Sequence, residues 1–304
     1  MGGRGKTPVV AHLARLLIAA GERPAILSRG YARRRPEDGV VIVSDGVHLR
    51  ADLDRSGDEP LMLARAVPGA AVLVCDVRSL ARALAERALG ATVHLLDDGF
   101  QHRQLARDVD LVIVAPEDFT DRRLPFGRLR EPLSALARAD ALLVDGDPAS
   151  LPLAGFAAPV FRLRRSLGEA VPIEPERDWP AADAPVVAFA GIARPERFEQ
   201  SLVATGRRVA RSLSFPDHHR YRAADLSRVS AALRETGAAV ALTTEKDAVR
   251  LLPLRPLPVP VGAVPLEIVI EPADQFETWL RGRLDSARGN HLGEVLARAD
   301  GTPA

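Results

Sequence analysis

The sequence predicts an α/β protein that has a mainly parallel sheet with helices on both faces and a second, smaller α/β domain. Two observations lead to this fold class. Short apolar segments typical of buried strands alternate with amphipathic segments of helical period, an order that favours parallel sheets covered by helices. A stretch rich in proline and small residues then separates two such runs, which indicates two domains.

The first run begins with a glycine-rich string at residues 2–8. Gly5-Lys6-Thr7 matches the end of a phosphate-binding loop, in which backbone N–H groups surround a polyphosphate, the lysine contacts its β- and γ-phosphates and the threonine hydroxyl binds Mg²⁺. The amphipathic helix that follows would point its N-terminus at the phosphates. We therefore expect a sheet of the P-loop NTPase type; a flexible glycine-rich terminus is the simpler alternative.

Lysine is used at only two places in the chain. Of the 41 Lys and Arg residues, only Lys6 and Lys246 are lysines. Arginine stands wherever a general surface cation is enough, which suggests that lysine remains where a compact charge on a flexible stem is needed. Phosphate-loop chemistry is such a case, so this usage favours a functional Lys6.

Composition limits the classes of function. The 304 residues suit one large or two medium domains, and 47% hydrophobic with 27% charged residues is typical of a soluble globular protein. A net charge of +1 gives no general attraction to nucleic acid, which we do not expect as a partner. Cys75 is the single cysteine, so no internal disulfide can form, and no apolar run approaches the roughly 20 residues of a membrane span.

Strands and helices alternate through the first half. Strands are expected at Pro24–Leu27, Val40–Val43, Ala71–Cys75, Val93–Leu96, Asp110–Ala115 and Ala141–Val144. Helices are expected after the phosphate loop, from Gly57, after Cys75, and from Glu131 to about Ala139. Ligands of parallel sheets bind beyond the carboxyl ends of the strands, which makes the polar residues there candidates for a site.

Val93–Leu96 ends in two acidic residues, Asp97 and Asp98. Downstream of a phosphate loop, such a strand is typical of the second half of a nucleotide site, where carboxylates hold Mg²⁺ directly or through water. The plain alternative is an acidic turn. Asp58 stands near a helix start, where a simple N-cap is an equally good interpretation.

The second run follows a connector at residues 145–185, which includes an extended ribbon at Val160–Arg164. Strands are expected at Pro185–Ile192, Val209–Phe215 and Ala239–Leu242, helices at Pro195–Ala204 and Ala223–Glu235, and extended chain at 257–270. Two last helices are expected around 274–284 and 291–298, before a disordered tail at Asp300–Ala304. The predicted domains are a P-loop domain at 1–150, a connector at 151–184, a smaller α/β domain at 185–290, and a C-terminal helix and tail at 291–304.

Eight motifs stand in a definite order. They are Gly-Gly-Arg-Gly-Lys-Thr-Pro at 2–8, Ser-Arg-Gly-Tyr at 28–31, Gly-Asp-Glu-Pro at 57–60, Asp-Asp-Gly-Phe-Gln-His at 97–102, Leu-Arg-Glu-Pro at 129–132, Phe-Ala-Gly-Ile at 189–192, Phe-Pro-Asp-His at 215–218 and Thr-Glu-Lys-Asp at 244–247. Each alone is weak, but the ordered set resembles the tetraacyldisaccharide 4′-kinase family, the lipid A 4′-kinases of Gram-negative bacteria. The resemblance runs through most of the chain.

The resemblance implies ATP- and Mg²⁺-dependent phosphorylation of the 4′-hydroxyl of tetraacyldisaccharide 1-phosphate, which gives lipid IVA. It implies peripheral contact with the cytoplasmic face of the inner membrane, and we expect a monomer. It also implies a P-loop domain and a smaller domain joined by a ribbon, with the site in the cleft between them.

Individual roles follow from the same resemblance. The ATP-binding residues would be Gly2, Gly3, Arg4, Gly5, Lys6, Thr7 and Pro8, and the metal ligands would be Thr7, Asp97, Asp98 and Glu131. The catalytic residues would be Lys6, Asp58 and His218. Asp58 would accept the proton of the sugar hydroxyl and His218 would orient or polarise it, which would require closure of the two predicted domains. The residues near the phosphorylated disaccharide would be Arg29, Arg78, Gln101, His102 and Arg130.

The chain departs from the family at two places. The family has a strand and a membrane-associating helix ahead of its phosphate loop, so the natural chain is expected to begin upstream of Met1 and to need that segment for full activity. Residues 121–127 differ from the family's usual Gly-Asn-Gly-containing run, so the details of that loop are not carried over.

A second hypothesis is a P-loop ATPase or GTPase that acts as a switch or partner-binding module. Such a protein shares the phosphate loop and the acidic strand end but needs neither a carboxylate placed like Asp58 nor a second domain bearing His218.

Two further features stay open at this point. Lys246 is either part of an ion pair or a nucleotide contact, and Arg33–Arg35 is a solvated loop or, as a weaker idea, a contact for anionic lipid headgroups.

Overall fold

The computed structural model describes residues 5–31, 33–102, 104–153, 156–181 and 183–299, with only the backbone of 291–299. The α-helices are α1 (Lys6–Ala19), α2 (Leu53–Ser56), α3 (Asp58–Ala66), α4 (Arg78–Leu89), α5 (Pro195–Ala204), α6 (Ala223–Thr236), α7 (Glu245–Leu251) and α8 (Ala273–Ala299). The strands are β1 (Pro24–Ser28), β2 (Val41–Asp45), β3 (Ala71–Val74), β4 (Val93–Leu96), β5 (Leu111–Val114), β6 (Ala141–Asp145), β7 (Val160–Leu167), β8 (Val171–Pro172), β9 (Val186–Ala190), β10 (Val209–Ser214), β11 (Val240–Thr244), β12 (Val261–Val264) and β13 (Leu266–Glu271).

These elements form two compact units. One comprises Asp98–Arg164 and the segment from Ile268 on, and the other comprises the residues up to Asp97 together with Arg165–Glu267. The units divide the chain at other places than the domains expected from the sequence, so the boundaries at 150, 184 and 290 stay a prediction.

The first sheet of the larger unit has the order β2-β3-β1-β4. β1 pairs in parallel with both β3 and β4, whereas β2 pairs antiparallel with β3 at the edge. Because successive side chains of a strand point to opposite faces, Ile26 packs with α1 and α3 on one face, while Ala25 and Leu27 pack with α4 on the other. The carboxyl ends of β1, β3 and β4 therefore meet at one edge, where Arg29 and Asp97 follow their strands.

The second sheet of this unit has the order β10-β9-β11-β12-β8, with parallel pairs throughout except between β12 and β8. Val187 and Phe189 of β9 face α6 and α7, and the alternate residues of the strand face α5. α7 also reaches the first sheet, because its Val249 belongs to the core that α1 and α3 build there. α7 thus packs into the cores of both sheets in the larger unit.

The smaller unit contains a sheet of order β13-β7-β6-β5, in which β5, β6 and β7 are parallel. An aromatic cluster fixes α8 to β7: the rings of Phe161 and Phe276 lie 5.1 Å apart, and Trp279 lies 5.8 Å from Phe161. The extended segment expected at Val160–Arg164 is thus part of β7 and a member of this sheet.

The predicted fold class, mixed α/β with mainly parallel sheets covered by helices, is confirmed, but two element predictions are wrong. The segment after Glu131 is a 3-10 helix at Leu133–Arg138 instead of an α-helix from Glu131, since Pro132 holds an extended conformation and biases the residue before it away from the helical region. The two predicted C-terminal helices are one, α8, because Gly282 and Gly289 do not interrupt it. The predicted tail at 300–304 lies outside the described residues.

No helix in the described part of the chain is long and apolar enough to cross a membrane.

Core packing on the first sheet makes a stability prediction. Leu63 of α3 is fully buried, whereas Leu80 of α4 is 53% exposed. We expect Leu63→Ala to lower the free energy of unfolding by about 2–5 kcal/mol, since it removes buried methyl groups and leaves a cavity. Leu80→Ala is the matched control and should change it by less than about 0.5 kcal/mol. Chemical denaturation of both variants tests this, and equal losses would contradict the assignment of Leu63 to the core.

Candidate active site

The N-terminus of α1 has the geometry of a phosphate-binding helix start. Gly5 caps it in the left-handed region (φ 78°, ψ 19°), which glycine adopts without steric cost, and Lys6 is the first helical residue. Gly5 offers no side-chain cap and no acidic residue lies in the first turn, so within the described residues the helix itself brings no negative charge to this end. Pro8 stands in the first turn, where its missing N–H costs nothing. Gly2, Gly3 and Arg4 lie outside the described residues.

Thr7 and Asp97 meet at the carboxyl edge of the first sheet. The Thr7 hydroxyl donates to Oδ2 of Asp97 over 3.4 Å, and Asp97 is only 6% exposed. Asp97 is held by the backbone, because its N–H donates to the Leu27 carbonyl over 3.2 Å and so extends the pairing of β4 with β1. A hydroxyl and a carboxylate side by side are the ligands that Mg²⁺ takes from P-loop proteins, with phosphate oxygens and water completing its shell.

Arg29 and Arg78 make the same edge basic. Arg78, the first residue of α4, is 3% exposed and donates through Nη1 to the Cys75 carbonyl over 2.8 Å. Its Nε has no hydrogen-bond partner within the described part of the chain. Burial lowers the pKa of Arg78. The positive charge of Arg29 lowers it further, because two cations at one edge repel each other. An anion placed there would satisfy the unpaired N–H and offset both charges.

Asp58 is the most heavily bound carboxylate of the site. It is the first residue of α3, is 8% exposed, and follows Gly57, which has φ 84°. Arg250 of α7 donates to Oδ2 through Nε over 3.0 Å and also through Nη2. Oδ1 accepts the backbone N–H of Glu59 over 2.9 Å. Asp58 therefore does more than cap a helix: it joins α3 to α7.

His218 contacts the same carboxylate. Its Nδ1 lies 3.1 Å from Oδ2 of Asp58, although the two residues are 160 positions apart. The backbone of His218 is in the left-handed region (φ 58°), which is uncommon for a residue other than glycine and is held here by its N–H bonds to the Gly191 carbonyl and the Asp217 side chain. The Tyr31 ring packs edge-on against the imidazole at 5.5 Å. Asp58 and His218 already meet in this structure, within one unit.

Lys246 forms an ion pair, which is one of the two alternatives left by the sequence. Its Nζ donates to Oε1 of Glu59 over 3.0 Å and lies 3.5 Å from Nε2 of His218 and 4.0 Å from Oδ2 of Asp58. A lysine ammonium only donates hydrogen bonds, so Nε2 of His218 faces it best as an acceptor. An ionised carboxylate only accepts, so Nδ1 carries a proton where it bonds Oδ2 of Asp58.

Two opposing influences set the pKa of Asp58. Burial would raise it, but the positive charges of Lys246 and Arg250, the hydrogen bond from Arg250 and the nearby His218 together hold the pKa of Asp58 below its ordinary value. The carboxylate is therefore ionised at neutral pH.

Asp247 supports this arrangement from behind. It is fully buried and accepts from Arg250 Nη1 (2.9 Å), the Thr244 hydroxyl (2.7 Å) and the Gly191 N–H (3.1 Å). A Cβ at Gly191 would stand 3.1 Å from Oδ1 of Asp247 and 3.0 Å from the His219 Cβ, so glycine gives the chain room to pass. The motifs at 189–192, 215–218 and 244–247 thus converge on one network, because β9, β10 and β11 are parallel and end at the same edge.

The remaining candidates lie in the smaller unit. Arg130 donates through Nη1 to Asp98 Oδ2 over 3.0 Å and to Gln101 Oε1 over 3.1 Å, so these three residues meet. Glu131 pairs with Arg138. The backbone N–H of His102 donates to the Gly99 carbonyl over 2.8 Å. Among the described residues no three carboxylates, imidazoles or thiols converge as a metal site would require, so the metal roles of Asp98 and Glu131 stay predictions.

One family model matches this chain over residues 1–285, and its description is tetraacyldisaccharide-1-P 4′-kinase. The chain belongs to the tetraacyldisaccharide 4′-kinase family. The family that the sequence motifs resemble is thereby confirmed.

Individual relatives agree with this membership. The chain is 37% identical to the tetraacyldisaccharide 4′-kinase of Syntrophus aciditrophicus, in a match that covers 91% of this chain and 79% of that protein. It is 41% identical to the enzyme of the same name from Geobacter metallireducens, covering 84% and 77%. The fold is similar to the crystal structure of LpxK from Aquifex aeolicus in complex with ATP, with a TM-score of 0.75 and 31% identity over 93% of this chain and 85% of that chain.

Sequence reasoning missed Arg250, which donates two hydrogen bonds to Asp58. A signal was available: Arg250 follows Asp247 by three positions and Lys246 by four, so that on a helix all three share a side. This spacing alone does not predict the contact with Asp58, because a pair separated by 192 positions produces no periodic pattern in the sequence.

Arg250→Gln tests the electrostatic arrangement. At neutral pH it should lower the free energy of unfolding by about 3–5 kcal/mol, since it leaves the buried carboxylates of Asp58 and Asp247 without their closest cation. A carboxylate with a lowered pKa stabilises the fold above its unfolded pKa, about 3.9, and that contribution is lost as the pH falls through the folded value. The difference between wild type and variant should therefore shrink as the pH falls from about 5 to about 3.

The matched control is Arg211→Gln, which removes an exposed arginine paired with Glu235. It should cost less than about 1 kcal/mol at every pH. Chemical denaturation at several pH values measures both variants. An Arg250→Gln difference that grows on acidification would contradict the stated cause of the lowered pKa of Asp58.

Proposed function

We propose that this chain transfers the γ-phosphoryl group of ATP to the 4′-hydroxyl of tetraacyldisaccharide 1-phosphate, which yields lipid IVA and ADP. The observation that best supports this proposal is the ionised Asp58 carboxylate held by Arg250 and His218 in the same unit as the phosphate-loop helix. A nucleotide switch has no use for such a carboxylate, whereas a kinase needs one to receive the proton of its acceptor hydroxyl.

At the nucleotide end, the backbone N–H groups after Gly5 and the ammonium of Lys6 bind the β- and γ-phosphates of ATP. Thr7 and Asp97 would hold Mg²⁺, whose ligand preference for hydroxyl and carboxylate oxygens fits this pair. When bound, Mg²⁺ would offset the negative charge that builds on the phosphate oxygens. Gly2, Gly3, Arg4 and Pro8 complete the proposed ATP contacts.

At the acceptor end, Asp58 takes the proton of the 4′-hydroxyl as its oxygen attacks the γ-phosphorus and the bond to the ADP oxygen breaks. Arg250 keeps the carboxylate ionised and fixed, so that it is ready to accept the proton. His218 donates its Nδ1–H to Oδ2 and orients the group, and Lys246 faces the other ring nitrogen. Because the pKa of Asp58 is low, transfer of the proton occurs late, as the attacking oxygen gains its bond to phosphorus.

Substrate recognition falls to basic and amide side chains. Arg29 and the buried Arg78 provide guanidinium forks for an anionic group of the disaccharide, with Arg78 Nε as the N–H that gains a partner. In the smaller unit, Gln101, His102 and Arg130 would contact the sugar and its 1-phosphate, and Asp98 and Glu131 would assist near the metal. Arginine suits this task because its planar fork matches phosphate oxygens in pairs.

The acyl chains of the proposed substrate place the reaction at a membrane. The enzyme would act as a monomer in peripheral contact with the cytoplasmic face of the inner membrane, where ATP is present and the lipid headgroup is reached from the water side.

Phosphate transfer from γ-labelled ATP to tetraacyldisaccharide 1-phosphate dispersed in detergent tests the proposal. Labelled lipid that forms only with Mg²⁺ present is the expected result. Release of free labelled phosphate without labelled lipid would instead favour the ATPase or GTPase switch.

The role of Asp58 predicts a separation of turnover from binding. Asp58→Ala should lower kcat by about 10²–10⁴-fold, the usual contribution of a general base, while the Kd for ATP changes little. Asp58→Asn, which keeps the shape, should lose kcat to a similar extent, and thermal denaturation verifies that both variants fold. Asp274→Asn, an exposed aspartate at the start of α8, is the control and should leave kcat unchanged. Equal losses in kcat and ATP affinity would refute the base role.

A further inference from the structure

The turn formed by residues 121–130, called here the arginine turn, exposes two large apolar side chains. Phe126 is 84% exposed and Leu124 is 62% exposed, and Pro125 between them is exposed as well. Exposed side chains of this size cost solubility and are uncommon next to each other unless they meet a partner. The turn therefore needs an explanation beyond folding.

Hydrogen bonds build the turn, so the exposure is fixed by its geometry. The Leu129 N–H donates to the Arg122 carbonyl over 3.0 Å, and the Leu124 N–H donates to the Leu129 carbonyl over 2.9 Å. Asp121 closes the base, because its Oδ2 accepts from Arg128 Nε over 2.6 Å and its Oδ1 accepts the Arg122 N–H over 2.8 Å. The side chains of Leu124 and Phe126 are thus presented outward by a tied loop.

Charge at the turn is one-sided. Residues 121–130 contain four arginines and one aspartate. Arg128 pairs with that aspartate and Arg130 pairs with Asp98, while Arg122 and Arg123 are exposed directly beside the apolar tip. Cations that flank a small apolar tip are the pattern of a segment that lies at an anionic membrane surface.

The other arginine run of the chain differs in this respect. Arg35 donates to Asp52 over 2.6 Å, Arg34 lies 4.0 Å from Asp54, and the Arg33 side chain is only 7% exposed. Each of these arginines therefore has an acidic partner within the protein, and only Arg33 is also buried, since the side chains of Arg34 and Arg35 are 62% and 60% exposed. The sequence left open whether Arg33–Arg35 contacts lipid headgroups. The arginine turn is the better candidate for such a contact.

We propose that the arginine turn is a lipid-contacting surface, in which Phe126 and Leu124 enter the boundary between headgroups and acyl chains of an anionic bilayer and Arg122 and Arg123 bind lipid phosphates. A bilayer is a better partner for this turn than a groove on another protein, because the apolar tip is small and the groups beside it are cations. Arginine also keeps its charged end at the phosphate level while its stem lies along apolar surface.

The turn ends in Arg130, which binds Asp98 and Gln101. If the proposed function holds, a residue expected to bind the polar head of the lipid substrate follows the bilayer contact within a few positions. A substrate whose acyl chains stay in the bilayer could then present its head to Arg130 without leaving the membrane.

Vesicle binding tests the proposal without substrate or ATP. The chain should co-sediment with vesicles of phosphatidylcholine containing phosphatidylglycerol and bind more weakly to phosphatidylcholine alone. Leu124→Ser with Phe126→Ser should weaken partition into the anionic vesicles by about a hundredfold or more, since burial of each side chain contributes about tenfold or more. Arg122→Gln with Arg123→Gln should remove most of the preference for anionic vesicles.

Two matched controls accompany these variants. Val47→Ser removes an apolar side chain that is 82% exposed in another turn, and Arg34→Gln with Arg35→Gln removes two arginines of the paired run. Both should bind vesicles as wild type does. Losses in the controls as large as those in the arginine turn would overturn the proposal, as would unchanged binding in the turn variants.

A site-specific probe reports insertion directly. Cys75 is 3% exposed, so Phe126→Cys on a Cys75→Ser background accepts a single environment-sensitive dye. Its emission should shift to the blue when anionic vesicles are added, and brominated acyl chains should quench it. Absence of both the shift and the quenching would overturn the proposal. A blue shift that occurs without vesicles and rises with protein concentration would overturn it too, because it would mean that a second copy of the chain covers the turn.

Kinase assays separate this inference from the proposed function. With acceptor dispersed in detergent, the Leu124→Ser, Phe126→Ser variant should keep wild-type kcat, while with acceptor in vesicles its rate should fall. A loss of kcat in detergent would make the turn part of the substrate site and contradict the lipid-contact role. If wild type transfers no phosphate but binds vesicles through the turn, the proposed function fails and the lipid contact stands.

Discussion

The buried ion pair between Asp58 and Arg250 is the constraint on which the larger unit depends. Removing a carboxylate and a guanidinium from water is costly, and the cost is recovered only when geometry and additional hydrogen bonds satisfy both groups. Here Asp58 accepts from Arg250 twice and from the Glu59 backbone, while Arg250 also donates to Asp247 and to the Gly191 carbonyl. Because the partners come from α3 and α7, the pair fixes two parts of the chain that are 192 positions apart.

The same pair determines what the site can do chemically. A carboxylate this deeply buried would ordinarily hold its proton, but the surrounding cations reverse that tendency and keep it ionised. His218 and Lys246 add to the effect without filling the acceptor capacity of Asp58. The positive charges around Asp58 therefore keep this carboxylate ionised, which is consistent with a reaction in which it must accept a proton.

Arginine and lysine divide the electrostatic tasks of this protein. Arginine makes the fixed, multidentate contacts: Arg250 with Asp58, Arg130 with Asp98 and Gln101, and Arg78 at the edge of the first sheet. The two lysines stand at the start of α1 and beside Glu59 and His218. Both places call for a compact charge that approaches several groups without a fixed orientation, which explains why arginine has not replaced lysine there.

Short-range patterns were enough to locate the local parts of this protein. The glycine-rich turn before α1, the amphipathic helix that follows it and the acidic residue after β4 depend on neighbouring residues, so the motifs located them and predicted the α/β fold class. The family could be recognised for the same reason, since its motifs are short strings in a definite order. The roles proposed for Asp58 and His218 rest on that resemblance and not on the residues alone.

Which distant side chains meet depends on the packing of the whole chain. Arg250 and Glu59 look like ordinary helix residues in the sequence, because their ion pairs with Asp58 and Lys246 span 192 and 187 positions and leave no periodic signal. Likewise, nothing local shows that Arg35 pairs with Asp52. The division into units and the continuous α8 were also beyond local patterns, since they depend on contacts such as the packing of α8 on β7, which join residues far apart in the chain. Local conformation depends on neighbouring residues and can be read from them, whereas burial and charge pairing depend on the whole chain.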